Sequence, residues 1–123
     1  MHVKITKINP LKPDSRGLAF GFSTRPSSFF IVLHRKKGTV SGRHYHKGLN
    51  PETFYVAKGT VKLVTRASNR SRSEEHVIEK NHLFEIPPLV YHELHALTDL
   101  ILLEFHVKDD SNLYEKDTVR PKG

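Results

Sequence analysis

The feature that most constrains the fold is a succession of short segments with strand periodicity, separated by turn residues. Val3–Ile8 alternates apolar and polar residues, and Phe29–His34 is an almost continuous apolar run of strand length. No segment keeps a helical period over three turns. Many short strands with Gly, Pro and Asn between them predict an all-β sandwich or barrel. The other predicted strands are Gly17–Phe22, Thr53–Ala57, Thr60–Arg66, Glu75–Ile78, Leu83–Ile86, Tyr91–Leu97 and Leu100–His106.

The turns and loops between these segments predict one domain that spans residues 1–123. A barrel core is expected over about 28–107, followed by a polar C-terminal tail at 108–123. Lys58-Gly59 is a short hairpin signal between two strands, and the stretch 67–74 is a polar loop. A chain of this length buries about two-thirds of the surface of its unfolded form, which is enough for a single core.

The composition is that of a soluble globular protein and excludes several classes of function. Hydrophobic residues make up 37% of the chain, and no apolar run approaches the roughly 20 residues that cross a membrane. The absence of cysteine excludes disulfides and thiolate metal sites, and it is compatible with a cytoplasmic location. The N-terminus lacks the apolar core of a secretory signal.

A net charge of +7 raises the question of an anionic partner. The basic residues are spread in short clusters, and none lies on a recognisable nucleic-acid-binding module. We therefore expect a solvated basic surface and no nucleic-acid binding. The more specific alternative is that the protein attracts anionic small molecules, such as phosphorylated or nucleotide-linked substrates.

Three residues in the middle of the chain have the spacing of metal ligands. In a β-strand, residues two apart share a face, so His44 and His46 project the same way while Tyr45 and Arg43 face the other side. Glu52 opens the next strand after a short loop. If the two strands lie side by side, two imidazoles and a carboxylate converge.

A fourth ligand, His92, follows a Pro-Pro turn some forty residues later. Imidazole with one carboxylate suits iron, zinc, nickel, copper or manganese better than calcium or magnesium. The sequence therefore predicts one divalent transition metal, with Fe, Zn, Mn or Ni as candidates. Four protein ligands leave one or two positions open on a metal that prefers five or six, as a catalytic site requires.

These residues resemble the first motif of the cupin superfamily. That motif is Gly, five residues, His-x-His, three or four residues, Glu, six residues and Gly. Gly38, His44, His46, Glu52 and Gly59 stand at those positions, with five residues instead of three or four before the glutamate. The resemblance implies a single cupin-type β-barrel, also described as a jelly roll or double-stranded β-helix.

The second cupin motif resembles the stretch from Asn81 to Ala96. Pro87 and His92 match it, while Asn81 takes the place of the first glycine and can adopt its positive φ. Leu89 and Ala96 depart from the glycine and asparagine of the motif. The resemblance therefore supports His92 as a ligand and leaves the turn geometry open.

Several flanking pieces are similar to sugar-modifying cupins, namely nucleotide-sugar epimerases and ketoisomerases and the cupin domains of capsular-polysaccharide enzymes. The epimerases pair a histidine at the position of His44 with an aspartate and a tyrosine, which have no clear counterparts here. Single-domain cupins form homodimers, often by exchanging an N-terminal strand, and Val3–Ile8 is suited to this role. The matching pieces are Asp14–Gly17, Gly42–His46, Phe54–Gly59, Ile86–Pro88 and Tyr114–Thr118.

Three functions remain open at this stage. The first is an isomerase or epimerase that acts on a carbohydrate or nucleotide-sugar, with the metal polarising a carbonyl. The second is an iron-dependent dioxygenase, and the third is a non-enzymatic metal- or sugar-binding module. For the first, the catalytic candidates are Glu104 and His44, and a metal-bound hydroxide is a further candidate base.

The remaining candidates have ordinary structural interpretations. Glu104 shares a side with Leu102 and is either an inward acid or, as we expect, an exposed charge on an edge strand. His95 faces away from His92, and Arg16 is expected to cap a surface turn. Barrel lining is predicted for Phe54, Val56, Phe84 and Ile86, and solvated or rim positions for His2, His34, His76, His82 and His106.

Overall fold

The computed structural model describes residues 3–48, 50–67, 72–107 and 118–121. Within these ranges the chain forms ten β-strands. No helix there is long and apolar enough to cross a membrane. In chain order the strands are β1 (Lys4–Lys7), β2 (Phe29–Arg35), β3 (Val40–His46), β4 (Glu52–Lys58), β5 (Thr60–Ala67), β6 (Glu74–Glu79), β7 (His82–Ile86), β8 (Val90–Ala96), β9 (Leu100–His106) and β10 (Thr118–Val119).

The strands form two five-stranded antiparallel sheets that enclose the core. One sheet has the order β1-β7-β4-β9-β2, and the other has the order β10-β3-β8-β5-β6. Alternate side chains of both sheets point inward, and the Phe54 and Phe84 rings stack with centroids 4.8 Å apart. Sheet packing of this kind is a jelly roll, so the all-β prediction is confirmed. The predicted lining residues Phe54, Val56, Phe84 and Ile86 are all buried.

One predicted strand is wrong. Gly17–Phe22 makes only isolated bridges, between Pro10 and Phe20 and between Asp14 and Gly17. Pro10 has no N–H to donate, and Gly17 has a φ of 128°, so a regular ladder cannot extend along this segment.

The hairpin predicted at Lys58-Gly59 is also wrong. β4 and β5 belong to different sheets and do not pair with each other. Gly59 has a φ of 87°, and a side chain there would collide with the Asp99 carbonyl oxygen. Gly59 therefore carries the chain from one sheet to the other, and the space beside it admits no larger residue.

The polar tail contains a strand that the sequence did not predict. β10 pairs with β3, with Thr118 opposite His46 and Val119 opposite Tyr45. The rest of the predicted tail, 108–117 and 122–123, lies outside the described residues, as do 68–71 of the predicted loop. A strand of two residues is too short to show a periodicity in the sequence. It is stable because it pairs with the edge of β3.

Candidate metal centre

The two histidines of β3 point inward next to a β-bulge. The pairing of β3 with β8 shifts register between Gly42 and His44, and Arg43 adopts a φ of 59°. His44 and His46 are buried, while Arg43 is exposed and Tyr45 is half-buried. The expectation that Arg43 and Tyr45 face away from the site agrees with this burial pattern. Bulges commonly redirect a side chain next to a functional site.

The strands that carry the ligands are not arranged as the sequence suggested. β3 and β4 do not lie side by side, because β3 pairs with β8 and β10 while β4 pairs with β7 and β9. His44 is directly opposite His92 on β8, and Glu52 reaches them from the facing sheet. The site is therefore built across the interior, with three imidazoles from one sheet and one carboxylate from the other.

The four predicted ligands converge. Glu52 Oε1 lies 3.0 Å from His46 Nε2 and 3.1 Å from His92 Nε2. One potential ligand atom from each of His44, His46, Glu52 and His92 lies within 4.8 Å of the others, and all four residues are buried. The extra residue in the loop before Glu52 does not prevent the carboxylate from reaching the imidazoles.

Hydrogen bonds on the far side of two rings set their orientation. His92 Nδ1 lies 3.1 Å from the Val90 carbonyl oxygen, and His46 Nδ1 lies 3.1 Å from Thr118 Oγ1. A carbonyl oxygen can only accept, so Nδ1 of His92 carries a proton and Nε2 is the ring nitrogen that faces the cluster. Outer hydrogen bonds of this kind hold metal-binding histidines in position. Thr118 was missed in the sequence, because nothing in the tail indicates that it returns to β3.

The electrostatics of the cluster favour a neutral His44 ring and a charged Glu52 carboxylate. Burial, reinforced by the neighbouring rings of His92 and His46, lowers the pKa of His44 to about 4. Burial alone would raise the pKa of Glu52, but the contacts with His46 and His92 outweigh it and lower that pKa. Neutral imidazole and ionised carboxylate are the forms that bind a metal.

The donor set fits a divalent transition metal. Among the described residues, His44 Nδ1 and both Glu52 oxygens are buried without a hydrogen bond of acceptable geometry. Glu52 Oε1 lies 3.1 Å from His92 Nε2, so either a proton on that nitrogen or a metal cation would satisfy the two facing atoms. Three imidazoles and one carboxylate supply the ligand types that such metals prefer.

The cluster opens into a cavity of about 350 Å³. Its wall includes Glu104, which is 3% exposed. The expectation of an exposed charge on an edge strand is therefore wrong, because β9 lies between β4 and β2 and turns this side chain inward. Burial raises the pKa of Glu104, although His106 Nε2, 2.7 Å from its Oε2, partly opposes that shift.

The match to a known domain family decides what the chain is. The cupin domain family matches residues 31–107, which include both motifs and all four predicted ligands. This chain belongs to the cupin family. No curated protein sequence matches it.

Solved structures of low sequence identity share the fold of this cupin. The sugar 3,4-ketoisomerase QdtA from Thermoanaerobacterium thermosaccharolyticum, in complex with TDP, is 21% identical, with a TM-score of 0.74 over 97% of this chain and 88% of that one. A 3,4-ketoisomerase from Helicobacter canadensis is 17% identical, with a TM-score of 0.81 over 98% and 92%. A dTDP-4-dehydrorhamnose 3,5-epimerase from Sulfolobus tokodaii is 20% identical, with a TM-score of 0.72 over 91% and 74%.

The turn of the second cupin motif keeps its geometry despite the departures in sequence. Asn81 has a φ of 65° and Leu89 a φ of 67°, so both adopt the left-handed conformation at the two glycine positions of the motif. The Leu89 N–H donates to the His46 carbonyl oxygen at 2.8 Å, which fixes the turn against the end of β3. His92 is therefore positioned as the motif implies.

The other histidines of this cupin, where described, lie outside the cluster. His95 Nε2 bonds Glu93 at 2.8 Å on the outer side of β8, and His34 is exposed. His82 contacts the Glu79 and Lys80 carbonyl oxygens, and His2 lies outside the described residues. Arg16 binds Asp14 at 2.7 Å on the surface, as expected for a residue that caps a turn.

Two arginines of the cavity wall were missed in the sequence. Arg35 ends β2, and Arg120 follows β10. Neither belongs to a cupin motif, and a sequence pattern cannot indicate that two residues 85 positions apart line one cavity (120 − 35 = 85).

Proposed function

We propose that this cupin is a carbohydrate isomerase or epimerase that holds one divalent transition metal through His44, His46, Glu52 and His92. The main support is that a cluster with the ligand types of a metal centre lies in a cavity that also contains a buried carboxyl group. Sites with an open metal position and an adjacent titratable group are suited to catalysis at a carbonyl. The shared fold of the sugar ketoisomerases and epimerases favours a carbohydrate or nucleotide-linked sugar as substrate.

The protein's contribution at the cluster is to hold the metal-ligating side chains in place. A bound metal would supply Lewis-acid polarisation of a substrate carbonyl. His46 and His92 are oriented by Thr118 and Val90, so the energetic cost of ordering these rings is met when the chain folds.

Glu104 is the base that the geometry favours. It lies on the wall of the same cavity, and burial moves its pKa upward from the ordinary carboxyl range toward neutral pH, where a general base is most effective. In an isomerisation, a carboxylate takes a proton from the hydroxyl-bearing carbon next to a carbonyl and delivers it to the former carbonyl carbon, while the hydroxyl proton passes to the former carbonyl oxygen. His106, at 2.7 Å, holds the carboxyl group in position.

His44 has a role in either state of the site. Because its pKa is about 4, the ring is neutral at pH 7 and can ligate a metal. In protein from which the metal has been removed, the same neutral ring can accept a proton. Metal content therefore determines which of its two predicted roles His44 performs.

Metal binding is tested by purifying the protein without chelator and measuring bound metal by elemental analysis. We expect about one iron, zinc, manganese or nickel per chain. His46→Ala should lose most of it, because it removes one of four donors and the partner of Thr118. His34→Ala is the matched control and should retain the metal, since His34 lies on the exposed face of β2. Full occupancy in His46→Ala would overturn the ligand assignment.

The reaction is tested by incubating the enzyme with keto sugars, free and nucleotide-linked, in D₂O. We expect deuterium at the carbon next to the carbonyl, detected by NMR, and a loss of about 100-fold or more in the exchange rate for Glu104→Gln. Substrate-dependent oxygen uptake without exchange would identify a dioxygenase instead. Metal retention with neither activity would leave a binding module.

A further inference from the structure

Two arginines lie at the rim of the cavity that holds the ligand cluster. Arg35 comes from the end of β2 in one sheet, and Arg120 follows β10 at the edge of the other. Arg120 is exposed and Arg35 is partly exposed, whereas His44, Glu52, His92 and Glu104 are buried. The cavity therefore has a cationic mouth and a deeper floor formed by the cluster and Glu104.

The strand register explains why Arg120 faces the cavity. Thr118 pairs with His46, and its hydroxyl contacts the ring of that residue. Residues two apart on an extended chain share a side, so Arg120 points the same way as Thr118. The short strand β10 thus places a guanidinium beside the position of His44.

Neither guanidinium has a carboxylate partner among the described residues. Arg35 donates only to the His34 carbonyl oxygen at 3.2 Å and to Ser41 Oγ at 3.5 Å. By contrast, Arg25 lies 2.6 Å from Glu85 on the surface. A guanidinium has five N–H donors in a fork that matches carboxylate and phosphate oxygens. Most of these donors in Arg35 and Arg120 are available to a ligand.

We propose that Arg35 and Arg120 bind an anionic group of the substrate itself, so that the substrate is an acidic sugar with a phosphate or a carboxylate. This inference rests on the proposed function, which makes the cavity the substrate site. The anionic group sits at the mouth, where both arginines lie. The carbonyl end of the sugar then points to the floor.

The size and lining of the cavity favour a sugar that carries its own charge over a nucleotide-linked one. A volume of about 350 Å³ is near the lower end of the ~300–1,000 Å³ of small-molecule sites. Among the described residues of its wall, Phe54 is the one Phe, Tyr or Trp, and it is buried in the core. Nucleobases commonly stack on exposed aromatic faces, and the part of the cavity wall that the structure describes offers no exposed Phe, Tyr or Trp ring.

Isothermal titration calorimetry tests the proposal with four probes: glucose 6-phosphate, glucuronate, glucose and thymidine diphosphate. We expect at least one of the two acidic sugars to bind at least 10-fold more tightly than glucose and than thymidine diphosphate. The preferred acidic sugar identifies the anionic group. Arg35→Gln and Arg120→Gln should each weaken its binding by about 10-fold to 100-fold, as expected for a charge-assisted hydrogen bond.

Arg72→Gln is the matched control, because it removes the same charge from an exposed position outside the cavity. It should leave the affinity unchanged. Arg35→Lys and Arg120→Lys keep the positive charge but lose the planar array of N–H donors of the guanidinium. These variants should show intermediate affinity. Circular dichroism of each variant separates lost binding from lost folding.

Several results would overturn the proposal: equal binding of glucose, an equal loss in Arg72→Gln, or preference for thymidine diphosphate over both acidic sugars. The titrations are repeated on protein with and without metal. If no metal binds but acidic sugars still require both arginines, the proposed metal chemistry fails and the anion site stands. If metal and deuterium exchange are present but the arginine variants bind normally, only the anion site fails.

Discussion

At the scale of single residues, the site depends on one position where a side chain is excluded. Gly42 lies at the bulge of β3 with a φ of 88°. A Cβ atom there would be 2.9 Å from the His92 carbonyl oxygen and 3.4 Å from its ring. The absence of a side chain at Gly42 therefore allows β3 and β8 to approach closely enough for His44 and His92 to meet in the cluster.

Gly42→Ala should both destabilise the protein and weaken metal binding. Gly38→Ala is the matched control, since Gly38 has the same φ of 88° but nothing within 4 Å of its Cβ position. The control should lose about 1–2 kcal/mol from backbone strain. Gly42→Ala should lose about 1–3 kcal/mol more, because the His92 backbone must move. Urea unfolding and metal titration measure the two effects, and equal losses in both variants would show that the contact with His92 is unimportant.

At the scale of elements, the turn between β7 and β8 holds a strained residue. Leu89 has a φ of 67°, although its side chain is 44% exposed and gains little from burial. A left-handed leucine costs about 1–2 kcal/mol. The backbone hydrogen bond from Leu89 to His46 requires the turn to keep this shape.

Leu89→Gly should therefore stabilise the protein by about 0.5–1 kcal/mol, after the greater flexibility of glycine in the unfolded chain is subtracted. Asn81→Gly is a contrasting variant, because the Asn81 side chain accepts a hydrogen bond of 2.6 Å from the Tyr55 hydroxyl. It should destabilise by about 1 kcal/mol. Thermal unfolding tests both, and a lower melting temperature for Leu89→Gly would contradict the assignment of strain.

At the scale of the whole molecule, the buried cluster couples stability to pH. The pKa of His44 is lowered from 6.5 to about 4, so between these pH values the unfolded chain binds a proton that the folded chain does not. Stability therefore rises with pH across this window and is lost on acidification. Glu104 has the opposite effect just above pH 4.5: stability falls as the pH rises there, because burial raises the pKa of Glu104.

The difference in the free energy of unfolding between the metal-free protein and metal-free His44→Gln isolates the contribution of His44. We expect the stability of the metal-free protein to gain on the order of 1–2 kcal/mol relative to the variant between pH 4.5 and 6.5, with allowance for screening by solvent. Urea unfolding at several pH values measures this difference. Parallel pH profiles for the two proteins would mean that folding does not change the pKa of the His44 ring, and they would contradict the prediction.

Association of two copies into a dimer is also a property of the whole molecule, and it stays a prediction. β1 pairs with β7 of its own chain, and β2 is an edge strand whose outer residues Phe30 and Val32 are exposed. Unpaired edges with apolar residues favour pairing with a second copy. Light scattering coupled to size exclusion should give a dimer at micromolar concentration, and a monomer would contradict the prediction.

The sequence alone determined the strands with regular alternation and the four residues that converge. Periodicity identifies the face on which a side chain lies, which is why His44 and His46 could be paired and His95 set apart. Asn81 could be assigned its positive φ because few other residues tolerate it.

Only the tertiary structure decided which sheet each strand joins. Strand pairing depends on contacts between distant parts of the chain, and local alternation contains no information about them. For this reason Lys58-Gly59 resembled a hairpin, Glu104 resembled an edge charge, and β3 was expected beside β4. The same non-local packing brought Thr118 behind His46 and placed Arg120 with Arg35 at the mouth of one cavity.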